Sequence, residues 1–516
     1  MNLLIGLIFS VINFLFQIRP RIYNRYFGVD TWRNLSIADY IRDHKRLPDF
    51  LPKYMIRGPY DYPPFICILL ALFPKKFIED YQGFISPFID SIHNFFVFIV
   101  SYLLTAGDIR ISILVQLIHI LTPSVVMENS SLTARGLGSF MFSLSFLSII
   151  FYSVYNSFPL LIAAIFFTVI LLFTQKMAVQ TLFFLCIFFS LIEFNILYIG
   201  IFLISVLLAI IVSGGFYLRV LKGQLAVLKY FRIIINDRYA HQVRGNTPVL
   251  QSRDFVSKVN SMIGRYPILA LVSANPFMFI AFIIGIVSLF NPGLGFGTVP
   301  DLRSEARRIG TVPLFLFTNK FILWIMTLYI LGLATAQIKP LQFLGEGVKY
   351  LTYGVFPAAF IISLSVFSCS NNLFSLFVIL TMAGCLLQIL ILQNNAIIKD
   401  SMRTVTPGLR NIMNYLQNTQ GEVRLATMPF SLSDTVAYFT KCNILSSDSG
   451  YVLGNSKDYL DYYPVIKKPL DEIFEKYKIN YLLINENYVK VEELPLREKN
   501  VVLKEEQFYL LKTKYD

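Results

Sequence analysis

Long apolar runs separated by short polar stretches dominate the first 393 residues. A helix that crosses a bilayer needs about 20 apolar residues, somewhat fewer when its ends snorkel or the helix tilts. By that measure the pattern predicts spans at 2–18, 88–106, 111–127, 136–154, 158–174, 267–290, 313–336, 351–369 and 372–393. The run 178–214 forms either one long helix or two short ones, and the whole reads as a transmembrane helical bundle of about 10–12 spans. Leu3 to Phe16 has the hydropathy of a secretory leader, but no cation precedes it and no small-residue cleavage site follows, so it reads as a retained first span. Pro63 to Pro74 is apolar over only about twelve residues, too short to span, and suits an interfacial or re-entrant helix.

The pattern changes after Gln393. Pro407–Gln417 and Leu470–Lys478 have helical periodicity, whereas Arg424–Met428, Tyr481–Asn485 and Gln507–Lys512 read as strands. Residues 394–516 therefore predict a small soluble α/β domain behind a mainly α membrane domain at 1–393, whose first loop occupies 18–87.

Composition supports this division. The chain is 55% hydrophobic and 15% charged, against about 25% charged in soluble domains, which excludes a soluble globular enzyme. The tail carries sixteen Lys or Arg and sixteen Asp or Glu, so the net charge of +13 resides in the membrane unit. Two polar segments, 18–62 and 215–266, each hold nine Lys or Arg against five and two acids, for net charges of +4 and +7. The positive-inside rule assigns both to the cytoplasm; the mixed chemistry of 18–62 argues against it there. These cations flank spans, where anionic lipid is the ordinary partner, and nothing points to nucleic acid. Cys67, Cys186, Cys369 and Cys385 lie in apolar stretches and Cys442 stands alone in the tail, with no metal-binding spacing among them.

Four polar patches carry candidate chemistry. Tyr26 to Asn34 places Asp30 and Arg33 around Trp32; the carboxylate suits a base and the guanidinium suits a phosphate, although Asp30 serves equally as the cap of a helix from Thr31 to His44. Arg57 to Pro64 holds Asp61 and Tyr62, or forms a tyrosine belt with a turn. Glu128 closes one span and Arg135 opens the next, as site residues or as a cap and a snorkelling cation. Lys349 and Tyr350 open the span that contains Pro357, where Lys349 pairs with a lipid phosphate or snorkels.

Together these patches resemble the GT-C superfamily of integral membrane glycosyltransferases. Phe27-Gly-Val-Asp30-Thr-Trp32-Arg33-Asn34-Leu35 is similar to the acidic first-loop stretch of oligosaccharyltransferase catalytic subunits, and Asp61-Tyr62-Pro63-Pro64-Phe65 to the tyrosine–proline sequence that ends that loop. Glu128 stands where the superfamily has its acidic second loop, without the paired acids of oligosaccharyltransferases. Gly347 to Pro357 looks like the segment whose basic residue binds lipid phosphate, with Lys349 in place of the commoner arginine.

The resemblance implies transfer of a hexosyl or pentosyl unit from a polyprenyl-phosphate donor to a glycan, lipid or protein acceptor, with inversion, at the extracytoplasmic face of a bacterial or archaeal plasma membrane. Asp30 would be the catalytic base. Arg33, Arg135, Lys349 and Tyr350 would hold the donor phosphate, and Asp61, Tyr62 and Glu128 would serve the acceptor or a second acidic function. The base works near neutral pH if desolvation raises its pKa or if its proton is taken late in the transition state. Neither loop contains a DxD, so metal-independent transfer is expected, with no cofactor, although a divalent metal stays open. The superfamily places the tail outside, in conflict with the charge rule at 215–266. A carrier of lipid-linked glycans and a non-catalytic membrane scaffold remain the alternatives.

Overall fold

The computed structural model describes residues 2–28, 30–237, 240–245, 265–290, 314–368, 372–447, 457–496 and 500–514. Cys369 and residues 238–239 and 246–264 of the second basic segment lie outside the described residues.

The helices run α1 (Asn2–Tyr23), α2 (Asp30–His44), α3 (Phe65–Ala71), α4 (Lys75–Leu104), α5 (Ile109–Ile120), α6 (Pro123–Glu128), α7 (Ala134–Tyr155), α8 (Phe158–Leu172), α9 (Lys176–Ile192), α10 (Leu197–Val212) and α11 (Phe216–Ile233). They continue with α12 (Pro267–Ala274), α13 (Pro276–Phe290), α14 (Leu314–Gln337), α15 (Gly347–Thr352), α16 (Val355–Ser368) and α17 (Asn372–Gln393). Among the described residues, five helices are long and apolar enough to cross a membrane: α1, α4, α7, α14 and the one that begins at Asn372. The pair α12–α13 qualifies as a sixth but bends by 98°, and α5, α8, α9, α10 and α16 are shorter apolar helices. The chain is a multi-pass membrane protein.

Several runs that read as single spans are broken, and proline accounts for two of the breaks. Thr122 and Asn275 precede Pro123 and Pro276 and are non-helical there, as the α region is disfavoured for a residue before proline. Asn275 turns the second break into a cap: its Oδ1 accepts from the Met278 amide at 3.0 Å while its Nδ2 donates to the Leu351 carbonyl at 3.1 Å. The ambiguous run 178–214 is two helices, separated at Glu193–Ile196, where Phe194 adopts a positive φ of 51°.

Beyond α17 the chain builds α18 (Pro407–Asn418), β1 (Arg424–Met428), α19 (Leu432–Phe439), β2 (Asn443–Ile444), α20 (Lys457–Tyr462), α21 (Leu470–Tyr477), β3 (Tyr481–Asn485), β4 (Asn500–Glu505) and β5 (Phe508–Lys512). The sheet order is β2-β1-β3-β5-β4, with β2, β1 and β3 parallel and β5 antiparallel to both β3 and β4. Every residue of β3 is buried, which explains its apolar run from Tyr481 to Ile484, as expected of a strand covered on both faces.

This unit docks on the first loop. Tyr54 pairs in parallel with Ile444, so that Met55 and Ile56 donate to the carbonyls of Ile444 and Leu445, each at 2.9 Å, and extend the β2 edge. Trp32 on α2 packs against Tyr438 and Phe439 of α19. From the other basic segment, Arg219 reaches Asp49 at 3.3 Å and Gln242 donates to the Tyr462 carbonyl at 3.2 Å. The first loop, the described part of 215–266 and the tail thus share one end of the bundle. A cytoplasmic position for the described part of 215–266 opposite an external first loop disagrees with these contacts: Arg219 pairs with Asp49 of the first loop and Arg244 with Glu493 of the tail.

Candidate active site

Gly28 starts the site. Its φ of +135° favours glycine, a Cβ there would strike the Thr31 side chain, and its amide donates to the Arg403 carbonyl at 2.8 Å. The chain then enters α2 at Asp30, one residue earlier than the sequence suggested. One turn later Arg33 returns its Nη2 to 3.5 Å from Asp30 Oδ1.

Asp30 and Arg33 open onto a cleft of about 150 Å³. Arg135, Lys176, Lys349, Glu346 and Tyr62 line it with them, and α11 closes one wall through Val227 and Phe231. Arg135 and Lys176 occupy the first turns of α7 and α9, whose capping groups are Thr133 and Gln175. A cation is disfavoured at the positive end of a helix dipole. Two cations at two such ends, facing one cleft, concentrate positive potential where an anion is the natural partner. The Tyr62 ring contacts two of the cations, with the Arg33 guanidinium 5.4 Å and the Lys176 ammonium 5.6 Å from its centroid.

The charges sort the carboxylates. Burial would raise the Asp30 carboxyl, but Arg33, Arg135 and Lys349 outweigh it and hold Asp30 below its ordinary value. The raised pKa expected from the sequence is therefore absent. Burial raises Asp61, with Lys176 opposing at 3.5 Å, and it raises Glu128 against Arg135 and Lys349. Both carboxylates that face the cleft have a cation at hand, Asp30 with Arg33 and Glu346 with Lys349 at 3.1 Å. Such a donor set fits an anion; a divalent cation wants several carboxylate oxygens to itself.

Of the residues singled out in the sequence, the structure thus brings Asp30, Arg33, Tyr62, Arg135 and Lys349 to one cleft. Asp61 lies just behind it, paired with Lys176 and close enough to α11 that a Cβ on Gly223 would collide with its carboxyl group. Tyr350 is fully buried, with its hydroxyl donating to the Leu344 carbonyl at 2.9 Å and accepting from Gln180 at 2.6 Å. Glu128 borders a separate small cavity with Asp90, His93 and His119. Sequence reasoning missed Lys176 and left Glu346 without a role. Lys176 had a readable signal, a lone cation opening an apolar run.

No family model and no curated protein matches the sequence. Solved structures do. The oligosaccharyltransferase of Archaeoglobus fulgidus, tethered to an acceptor peptide that contains the NVT sequon, superposes with a TM-score of 0.55 at 12% identity, over 93% of this chain and 68% of that one. Archaeal oligosaccharyltransferase AglB from the same organism, in complex with an inhibitory peptide and a dolichol-phosphate, gives 0.53 at 13% identity, over 93% and 69%. The chain has the GT-C fold. ArnT from Cupriavidus metallidurans bound to undecaprenyl phosphate aligns over 98% of this chain and 97% of that one, with a TM-score of 0.44 at 9% identity. In this chain the cleft lies at the bundle end that also carries the first loop and the tail, between α2, α7, α9, α11 and α15.

Proposed function

We propose that the protein is an inverting membrane glycosyltransferase that moves a hexosyl or pentosyl unit from a polyprenyl-phosphate donor to a glycan, lipid or protein acceptor. The observation that carries this reading is the Asp30 carboxylate, set among Arg33, Arg135, Lys176 and Lys349 in a cleft at the end of an apolar bundle. Asp30 accepts the proton of the acceptor hydroxyl as that oxygen attacks the anomeric carbon. The bond from that carbon to the lipid phosphate breaks on the opposite side, and the cations stabilise the departing phosphate. A single displacement inverts the anomeric centre. Tyr62 orders the cleft wall, Tyr350 holds the Leu344 turn that carries Glu346 and Lys349, and Asp61 and Glu128 adjust the charge from behind.

The GT-C fold, and a neighbour whose structure holds dolichol-phosphate and a peptide, support a lipid-linked donor. We assign the membrane domain to 1–393 and an acceptor-selecting domain to 394–516, both cleft and tail being extracytoplasmic in a bacterial or archaeal plasma membrane. Metal-independent transfer fits a cleft whose carboxylates are engaged by cations.

The test compares purified unaltered protein with Asp30→Asn, matched for expression and melting temperature, in transfer of radiolabelled sugar from extracted polyprenyl-linked donors to membrane acceptors. Transfer by the unaltered protein and its loss in Asp30→Asn is the expected result. Transfer that survives in the variant removes the base from Asp30, and no transfer with any donor favours a carrier of lipid-linked glycans.

A further inference from the structure

Asp90 on α4, His93 one turn further along it and His119 on α5 are all buried within the bundle. One potential ligand atom of each lies within 4.8 Å of those of the other two. We propose that these three residues bind a zinc-class divalent cation inside the membrane unit, with Glu128 beside the open coordination position.

Asp90 and His93 both have outer partners. Asp90 Oδ2 accepts from Asn13 Nδ2 at 2.8 Å and from Gln17 Nε2 at 2.5 Å, which fixes the carboxylate and presents Oδ1 to His119 Nε2 at 3.3 Å. His93 is oriented in the same way, with its Nε2 at 2.9 Å from Ser143 Oγ. Ligand carboxylates and imidazoles of metal sites are held by such outer partners. Zinc bonds to nitrogen and oxygen are about 2.0–2.1 Å, and tetrahedral geometry then sets neighbouring donor atoms about 3.3–3.4 Å apart. The Asp90–His119 spacing meets that value.

Two further observations exceed what a hydrogen-bonded clasp between α4 and α5 requires. The Nδ1 atom of His93, opposite the ring nitrogen held by Ser143, is buried without a hydrogen-bond partner, and a buried imidazole nitrogen in that condition calls for a proton donor, a proton acceptor or a metal. The residues also border a cavity of about 10 Å³, shared with Glu128 and Asn129. That volume takes one water-sized occupant. Two imidazoles and a carboxylate suit zinc and its first-row neighbours, and a dication offsets a carboxylate that apolar helices enclose.

The site is separate from the cleft, so its test does not depend on transfer. Full-length protein, with any affinity tag removed, is purified in detergent without chelator, analysed for bound metals, stripped with EDTA and titrated with Zn²⁺ or Co²⁺. About one equivalent per chain is expected, with visible cobalt absorption of a low-symmetry nitrogen–oxygen site and a higher melting temperature. His119→Gln and Asp90→Asn lose that equivalent, Asn13→Ala weakens binding about 10- to 100-fold, and Asp30→Asn in the cleft leaves it intact. Unaltered protein that binds neither ion above background overturns the proposal whatever the variants do, as does binding that persists in both ligand variants.

Discussion

Trp32→Ala tests whether the tail is clamped to the helix that carries Asp30. Trp32 is fully buried, with its ring centroid 6.3 Å from that of Tyr26, 5.5 Å from Tyr438 and 4.8 Å from Phe439. An aromatic side chain of this size buries about 150–250 Å², worth about 4–6 kcal/mol at 25 cal/mol per Å², and Trp→Ala changes in cores cost about 3–5 kcal/mol. Tyr26 belongs to the same loop as Trp32, whereas Tyr438 and Phe439 lie across the junction, so about 2–3 kcal/mol of the loss falls on docking. At 1.4 kcal/mol per decade that loosens the junction roughly 30- to 150-fold. Amide hydrogen exchange reads this directly. Met55 and Ile56, whose amides bond to Ile444 and Leu445 across the junction, should exchange faster by about that factor, while the β3 and β5 amides stay protected. Transfer activity should fall in parallel, because α2 carries Asp30 and Arg33. Unchanged exchange at Met55 and Ile56 in a folded variant would refute the clamp.

Two other changes probe the charges around the cleft. Asp61→Asn leaves Lys176 buried beside a neutral partner and should cost about 3–5 kcal/mol, most of which returns when Lys176→Met is added; thermal melts of the two variants decide it, and equal losses would show that the pair is not coupled. Asp434 is raised by burial, against the opposing effects of Arg33 and of hydrogen bonds from Tyr54 at 2.7 Å and Ser447 at 2.8 Å. Its folded pKa exceeds the unfolded one, so its stabilising contribution is complete below the unfolded value near 3.8 and is lost as pH rises through the folded value. Asp434→Asn should therefore flatten the fall in melting temperature across that window and leave the protein no less stable at neutral pH; a steeper fall would contradict the assigned sign.

The apolar runs were legible because lipid imposes a length and a hydropathy on each helix, and the tail helices 407–418 and 470–477 were legible because each has one buried stripe. β2 was not, since two residues hold no periodicity, and β4 was not, since its side chains are mostly polar or exposed. Within the site, Asp30 and Arg33 stood out as charges in an aromatic setting, and Arg135 and Lys349 as charges at span ends. Lys176 stood equally at the start of an apolar run, but nothing local distinguished a cation that faces a cleft from one that snorkels.

The sequence by itself determined a membrane bundle with an α/β tail and marked the short polar stretches in which a site could form, because hydropathy and side-chain period act residue by residue. Only the tertiary structure decided that five of the marked residues share one cleft, that Asp30 lies below rather than above its ordinary pKa, and that the first basic segment, the described part of the second and the tail occupy one end. It also decided that Asp90, His93 and His119, unremarkable within their apolar runs, converge on one buried point. Electrostatic fields and ligand geometry depend on distances between helices, and the order of residues along the chain does not specify those distances.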